Sequence, residues 1–143
     1  MERSGLKYLL DTAAWINAVT LPQIFPERIR KLLVSPETKG LCSISLLETA
    51  ILFRLGRLEF EGPLSQLFTA GLSTNLDLLE LTPTIAVGTN QFPENFQGDP
   101  FDRVIVATAS TRKLTLITAD PEIRDANACS VEFYPFKPSR FRS

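Results

Sequence analysis

Short apolar runs and helix-start signals alternate along the whole chain, and this alternation restricts the fold more than any other feature. Residues 7–10 read as a strand running into Asp11-Thr12, a helix start, and then a helical stretch over 13–19. Pro26-Glu27 opens an amphipathic helix through 34, which Ser35-Pro36 ends. A second strand over 41–44 leads into a long helix to 55, capped by Ser43 or Ser45 and closed by Gly56. Gly62-Pro63 starts a helix to about 70, and 76–81 reads as a third strand. Pro83 starts a helix to about 90, and Asp99-Pro100 opens a strongly helical run to 111. A fourth strand is expected over 114–118, a short helix from Asp120-Pro121, and a fifth strand over 130–134. This order argues for an α/β domain whose sheet is mostly parallel, with helices on both faces. At 143 residues the chain makes one domain, with its core over about 6–134 and a basic tail over 135–143.

In such sheets ligands gather outside the carboxyl ends of the strands, where the strand order reverses. Five acids fall on that rim. Asp11 follows the first strand directly, and Asp120 follows the fourth with only Ala119 between. Asp99 and Asp102 begin the helix that leads into the fourth strand, and Glu48 lies early in the helix after the second. Taken singly, Asp11, Asp99 and Asp120 also read as helix caps, and Asp120-Pro121 is an especially good one. The two roles are compatible, since one carboxylate oxygen can take a backbone N–H while the other faces an ion. Glu48 resists that reading. Its helix is apolar almost all round, which implies burial, and Arg54 and Arg57 lie away from its side. A buried acid without a basic neighbour is costly unless a cation or another chain supplies charge.

Composition narrows the chemistry further. The chain has no histidine, which removes Ser-His-Asp triads, Cys-His pairs and histidine zinc sites. Cys42 and Cys129 are far apart with no C-x-x-C spacing, and read as ordinary thiols of a cytoplasmic protein. No apolar run approaches the ~20 residues of a membrane span, and the apolar stretch before Asp11 is too short for a signal-peptide core. Carboxylates converging on one rim need a hard divalent cation, and Mg²⁺ or Mn²⁺ suits an all-oxygen donor set. Such sites are typical of phosphoryl transfer.

Four motifs in order resemble those of PIN-domain nucleases. They are Lys7-Tyr8-Leu9-Leu10-Asp11-Thr12; Ser43-Ile44-Ser45-Leu46-Leu47-Glu48-Thr49-Ala50; Gly98-Asp99-Pro100-Phe101-Asp102-Arg103; and Leu114-Thr115-Leu116-Ile117-Thr118-Ala119-Asp120. Within that family the chain is most similar to the VapC-like toxins of bacterial type II toxin–antitoxin systems. The resemblance implies a three-layer α/β/α fold, with a five-stranded sheet of order 3-2-1-4-5. It also implies a Mg²⁺- or Mn²⁺-dependent endoribonuclease, an RNA substrate, a cognate antitoxin and a homodimer. By position it makes Asp11, Glu48, Asp102 and Asp120 the acidic quartet. Asp99 becomes a supporting acid, Thr12 and Thr118 supporting hydroxyls, and Arg103 a contact to a phosphate or a brace for an acid. Trp15, one turn after Asp11, reads as core and not as a base-stacking platform.

The chain departs from its subgroup at two places. Gln97 and Gly98 stand where histidines are common, and the segment around Leu52 and Phe53 is apolar where a lysine is common. The apolar residues Ile51, Leu52, Phe53 and Leu55 would suit a dimer or antitoxin interface. Two rival readings remain. One is a catalytically silent PIN-like module that binds RNA or protein. The other is a haloacid-dehalogenase-like phosphatase, which needs an acid two residues after Asp11, where Ala13 stands. Setting the five rim acids aside leaves 15 basic against 11 acidic residues. Basic residues recur at Arg28, Arg30 and Lys31, at Arg112 and Lys113, and at Lys137, Arg140 and Arg142. An acidic pocket in a mildly basic surface suits a phosphate chain.

Overall fold

The computed structural model describes residues 5–72, 75–94 and 96–136. Five strands form one sheet: β1 (Tyr8–Leu10), β2 (Lys39–Cys42), β3 (Leu76–Leu79), β4 (Thr115–Thr118) and β5 (Ser130–Phe133). Their order is β3-β2-β1-β4-β5, and every neighbouring pair is parallel. The expected order therefore holds, and the sheet is parallel throughout. Leu10 aligns with Leu41 on one side and Ile117 on the other, so β1 is the centre of the sheet.

Seven helices occur among the described residues: α1 (Thr12–Thr20), α2 (Glu27–Val34), α3 (Ile44–Arg54), α4 (Leu64–Gly71), α5 (Pro83–Gly88), α6 (Pro100–Arg112) and α7 (Pro121–Ala126). A short 3₁₀ turn at Pro22–Ile24, not foreseen from the sequence, links α1 to α2. The expected second strand over 41–44 sits earlier. It starts at Lys39 and ends at Cys42, because Ile44 already opens α3.

The two faces of the sheet bury different layers. Leu10, Leu41 and Ile117 pack with Ala14, Trp15 and Ile16 of α1, Ile29 of α2 and Leu67 of α4. On the other face Leu9, Cys42 and Leu116 meet Ile105, Val106 and Ala109 of α6 and Ile123 of α7. Leu9 and Leu10 point to opposite faces, as alternation along a strand requires. Trp15 is fully buried core, and its indole N–H donates to the Gly71 carbonyl at 3.0 Å. The helix wall behind it must be thin, since a Cβ on Gly71 would lie 2.5 Å from the indole ring.

One expectation is corrected here. The apolar composition of α3 implied a helix buried on most sides, but only Ser45 and Thr49 are fully buried within it. Leu46, Leu52 and Phe53 are partly buried against the core, while Leu47 (55% exposed) and Leu55 (50%) face outward.

Of the expected thiols, Cys42 is buried and Cys129 only partly so; both are free. The surface bases are also less available than their number implied. Arg28 pairs with Glu132, and Lys31 lies near Glu27 at 3.9 Å. Lys137, Arg140 and Arg142 fall outside the described residues, as does most of the tail.

Candidate active site

The strand order reverses between β1 and β4, and the two strands end side by side. Asp11 closes β1 and caps α1, with Oδ1 accepting the Ala14 N–H at 2.8 Å. Its Oδ2 accepts the hydroxyl of Thr118, the last residue of β4. The same Thr118 oxygen accepts the Asp120 N–H at 3.1 Å. Asp120 caps α7, with Oδ1 accepting the Glu122 N–H at 2.9 Å. One hydroxyl thus couples both acids at the switch point.

The other acids arrive from α3 and α6. Asp99 is exposed and caps α6, accepting the Asp102 N–H at 2.8 Å. Glu48 lies in the second turn of α3, and its Oε1 is buried without a hydrogen-bond partner. Thr12 donates to Ser45 Oγ at 2.8 Å, and Thr49 donates to the Ser45 carbonyl at 2.7 Å. These hydroxyls join the start of α1 to the start of α3, placing Glu48 beside the Asp11 end of the sheet. The sequence offered Ser45 only as a helix cap. It is instead a fully buried crosslink, and Ser43 stands at the cap position without a side-chain capping bond. The serine-threonine spacing 45/49 was visible, but the partner, Thr12, is 33 residues away.

The acids sense one another. Burial pushes the Asp102 carboxyl up to about 8, and repulsion from Asp99, Asp11, Glu48 and Asp120 adds to it. Glu48 is pushed up to about 7, mainly by burial; the Thr12 hydroxyl opposes this, while Asp99 and Asp11 add to it. Asp11 rises to about 6 through burial, opposed by its bonds from Thr118 and Ala14 and aided by Asp120. The ion pairs seen among the described residues lie elsewhere, at Lys7–Glu37, Arg28–Glu132, Lys31–Glu27 and Arg124–Asp125. Among the described residues, then, no ion pair compensates these acids.

No group of three acids among the described residues closes into a ready metal cage. Like charges without a counter-ion push apart. Yet the donors fit a hard cation. They are all oxygens, one is a buried orphan, and Mg²⁺ needs only one or two carboxylates because it keeps several waters.

Arg103 does something other than the phosphate contact or acid brace expected of it. Its guanidinium donates to the carbonyls of Thr89 (2.6 Å) and Phe96 (3.3 Å). It also lies over the rings of Phe92 and Phe96, at 5.3 and 5.9 Å. This clamp ties the α5–α6 connection to the first turn of α6, which carries Asp102. It also accounts for Gly98. A Cβ there would come within 2.5 Å of the Phe96 ring, so a histidine does not fit at 98 while Phe96 is seated. We expect Arg103→Leu to lower any activity of the rim about 10-fold or more through loosened positioning of Asp102. Arg103→Lys should not restore it, because a lysine cannot bridge two carbonyls as a planar fork does. Steady-state rates of both variants, with melting curves, test this.

Comparisons with known proteins agree with the fold. A sequence model of the PIN domain family matches residues 8–128. The chain is similar to a Mycobacterium tuberculosis protein named ribonuclease VapC22, 29% identical over 118 residues, covering 81% of this chain and 88% of that one. Among solved structures it is similar to DNA-bound VapBC from Salmonella typhimurium, with a TM-score of 0.66, 24% identity, and 90% and 98% of the two chains covered. It is also similar to M. tuberculosis VapC20, described as a sarcin-ricin loop cleaving toxin, with a TM-score of 0.62, 17% identity, and 92% and 100% coverage. With the family match spanning most of the chain, the chain belongs to the PIN domain family.

Proposed function

We propose that this protein is a VapC-type toxin, a metal-dependent endoribonuclease that hydrolyses RNA phosphodiesters. The observation that carries this reading is that the buried Asp102 carboxyl senses Asp99, Asp11, Glu48 and Asp120 together. The similarity to a protein named a ribonuclease and to VapBC complexes supports it. In this reading Asp11, Asp102, Asp120 and Glu48 hold a Mg²⁺ or Mn²⁺ ion or position the attacking water. When bound, such an ion activates a water and stabilises charge on the phosphodiester. The residues do the rest. Thr118 and the Ala14 N–H together fix the rotamer of Asp11. Thr12 steadies Ser45 and, through it, the start of α3 below Glu48. Asp99 holds the first turn of α6 and adds negative charge that favours a cation.

The cognate partner in this proposal is an antitoxin, and the chain acts in the cytoplasm as a homodimer. Outward-facing Leu47 on α3, Leu55 directly after it and Val87 on α5 provide apolar surface for such assembly. Among the described residues no helix is long and apolar enough to cross a membrane.

The purified chain, freed of any partner, should cleave RNA with Mg²⁺ or Mn²⁺ and be silent with chelator. Sequencing the cut ends would identify the target. Absence of metal-dependent cleavage on total cellular RNA would favour the silent binding module, a reading to which the outward leucines of α3 also lend themselves.

A further inference from the structure

Among the described residues two buried side-chain atoms lack a hydrogen-bond partner, Glu48 Oε1 at the rim and Asn17 Oδ1 on α1. Asn17 is fully buried on the helix that Asp11 caps. A buried amide with one atom unpaired costs stability that a leucine of similar size does not. Its Nδ2 donates to the Tyr134 hydroxyl at 3.2 Å, across 117 positions of sequence. Tyr134 directly follows β5 and is fully buried, its ring 4.7 Å from that of Phe25. Its backbone N–H donates to the Thr118 carbonyl at 3.1 Å, and Thr118 gives its hydroxyl to Asp11. These bonds close a circuit. It runs from Asp11 along α1 to Asn17, across to Tyr134, on to Thr118 and back to Asp11. The start of α1 is also tied to β4 by the Asp11 N–H on the Ile117 carbonyl, at 3.2 Å. One such tie acts as a pivot. The Asn17 bond lies six residues on, about 9 Å along the helix, and a second tie at that distance sets the tilt. Apolar packing of Trp15 and Ile16 adds cohesion without direction. Burial pushes the Tyr134 hydroxyl up and the charge of Asp11 adds to this, which puts the two groups within electrostatic reach.

We propose that Asn17 and Tyr134 are positioning residues for Asp11: their bond sets how α1 presents that carboxylate to Thr118, and so to a divalent cation. The inference rests on the metal-dependent reading of the rim.

Tyr134→Phe cuts this bond and little else, since the ring still packs on Phe25 and the backbone N–H still meets Thr118. Mn²⁺ binding to the full chain would be measured by calorimetry at fixed pH, beside melting curves in chelator and the KM for RNA. Tyr134→Phe should weaken Mn²⁺ about tenfold or more and leave the KM for RNA unchanged. Combining Asn17→Leu with Tyr134→Phe removes both buried polar groups and should restore the melting temperature. Mn²⁺ should still bind that double variant as weakly as the single one. Restored Mn²⁺ affinity in the double variant overturns the proposal, because the pair would then serve stability alone. So does Mn²⁺ affinity unchanged in Tyr134→Phe. Should the single variant fail to fold, the double variant carries the same test. A parent chain that takes up no Mn²⁺ overturns the metal reading of the rim and this inference with it. Uptake by the parent and equal uptake by the variants overturns this inference alone.

Discussion

Asp11→Asn and Asp102→Asn will each abolish metal-dependent RNA cleavage while leaving the protein folded. The loss should exceed the ~10–100-fold typical when a group that only supports a metal site is removed. Both substitutions are gentle on the fold. Asparagine at 11 still accepts the Ala14 N–H, so the start of α1 is kept. The residue at 102 contributes its backbone N–H to Asp99, and that bond does not depend on the side chain. Gel assays of RNA cleavage in Mg²⁺ and Mn²⁺, beside circular dichroism, separate loss of chemistry from loss of structure. Full activity in either variant would remove the metal-site reading.

The second large effect is on stability. Asp11, Glu48 and Asp102 keep their protons in the folded state up to about 6, 7 and 8. The unfolded chain releases them near the ordinary carboxylate values of ~4. The folded state therefore binds more protons across that window, and its stability falls as pH rises from about 4 to about 8. Each unit of difference is worth about 1.4 kcal/mol, so the cluster should cost the metal-free fold on the order of several kcal/mol at the upper end. A divalent cation binds the ionised site, and its stabilisation should be large near pH 8 and small near pH 5. Asp102→Asn should raise the metal-free melting temperature near pH 8 and flatten the pH profile. Melting curves across pH, with chelator and with Mg²⁺ or Mn²⁺, decide this. A flat profile in chelator would mean that the acids do not share one pocket.

Much of this site could be read from the chain because its acids sit at local signals. Asp11, Asp99 and Asp120 each precede a helix start, and a cap fixes the side chain within a few residues of itself. Alternating apolar strands likewise place the strand ends without long-range information. What escaped the sequence depends on distant neighbours. The bond from Thr12 to Ser45 spans 33 residues, and the Arg103 clamp needs the turn at Thr89 and the pair Phe92 and Phe96. The charged partner of Arg28, Glu132, was hidden for the same reason. The exposure of α3 was misjudged because apolar composition does not say whether the cover comes from the same chain.

That last point bears on control. Glu48 rides on a helix anchored inward by Ser45 and Thr49, whose outer leucines look away from the core. Whatever covers Leu47 and Leu55 therefore grips the same rod that carries the buried acid. A shift of α3 would carry Glu48 with it. Occupancy of an outer surface and readiness of the inner acid become a single mechanical variable, with the helix as the lever.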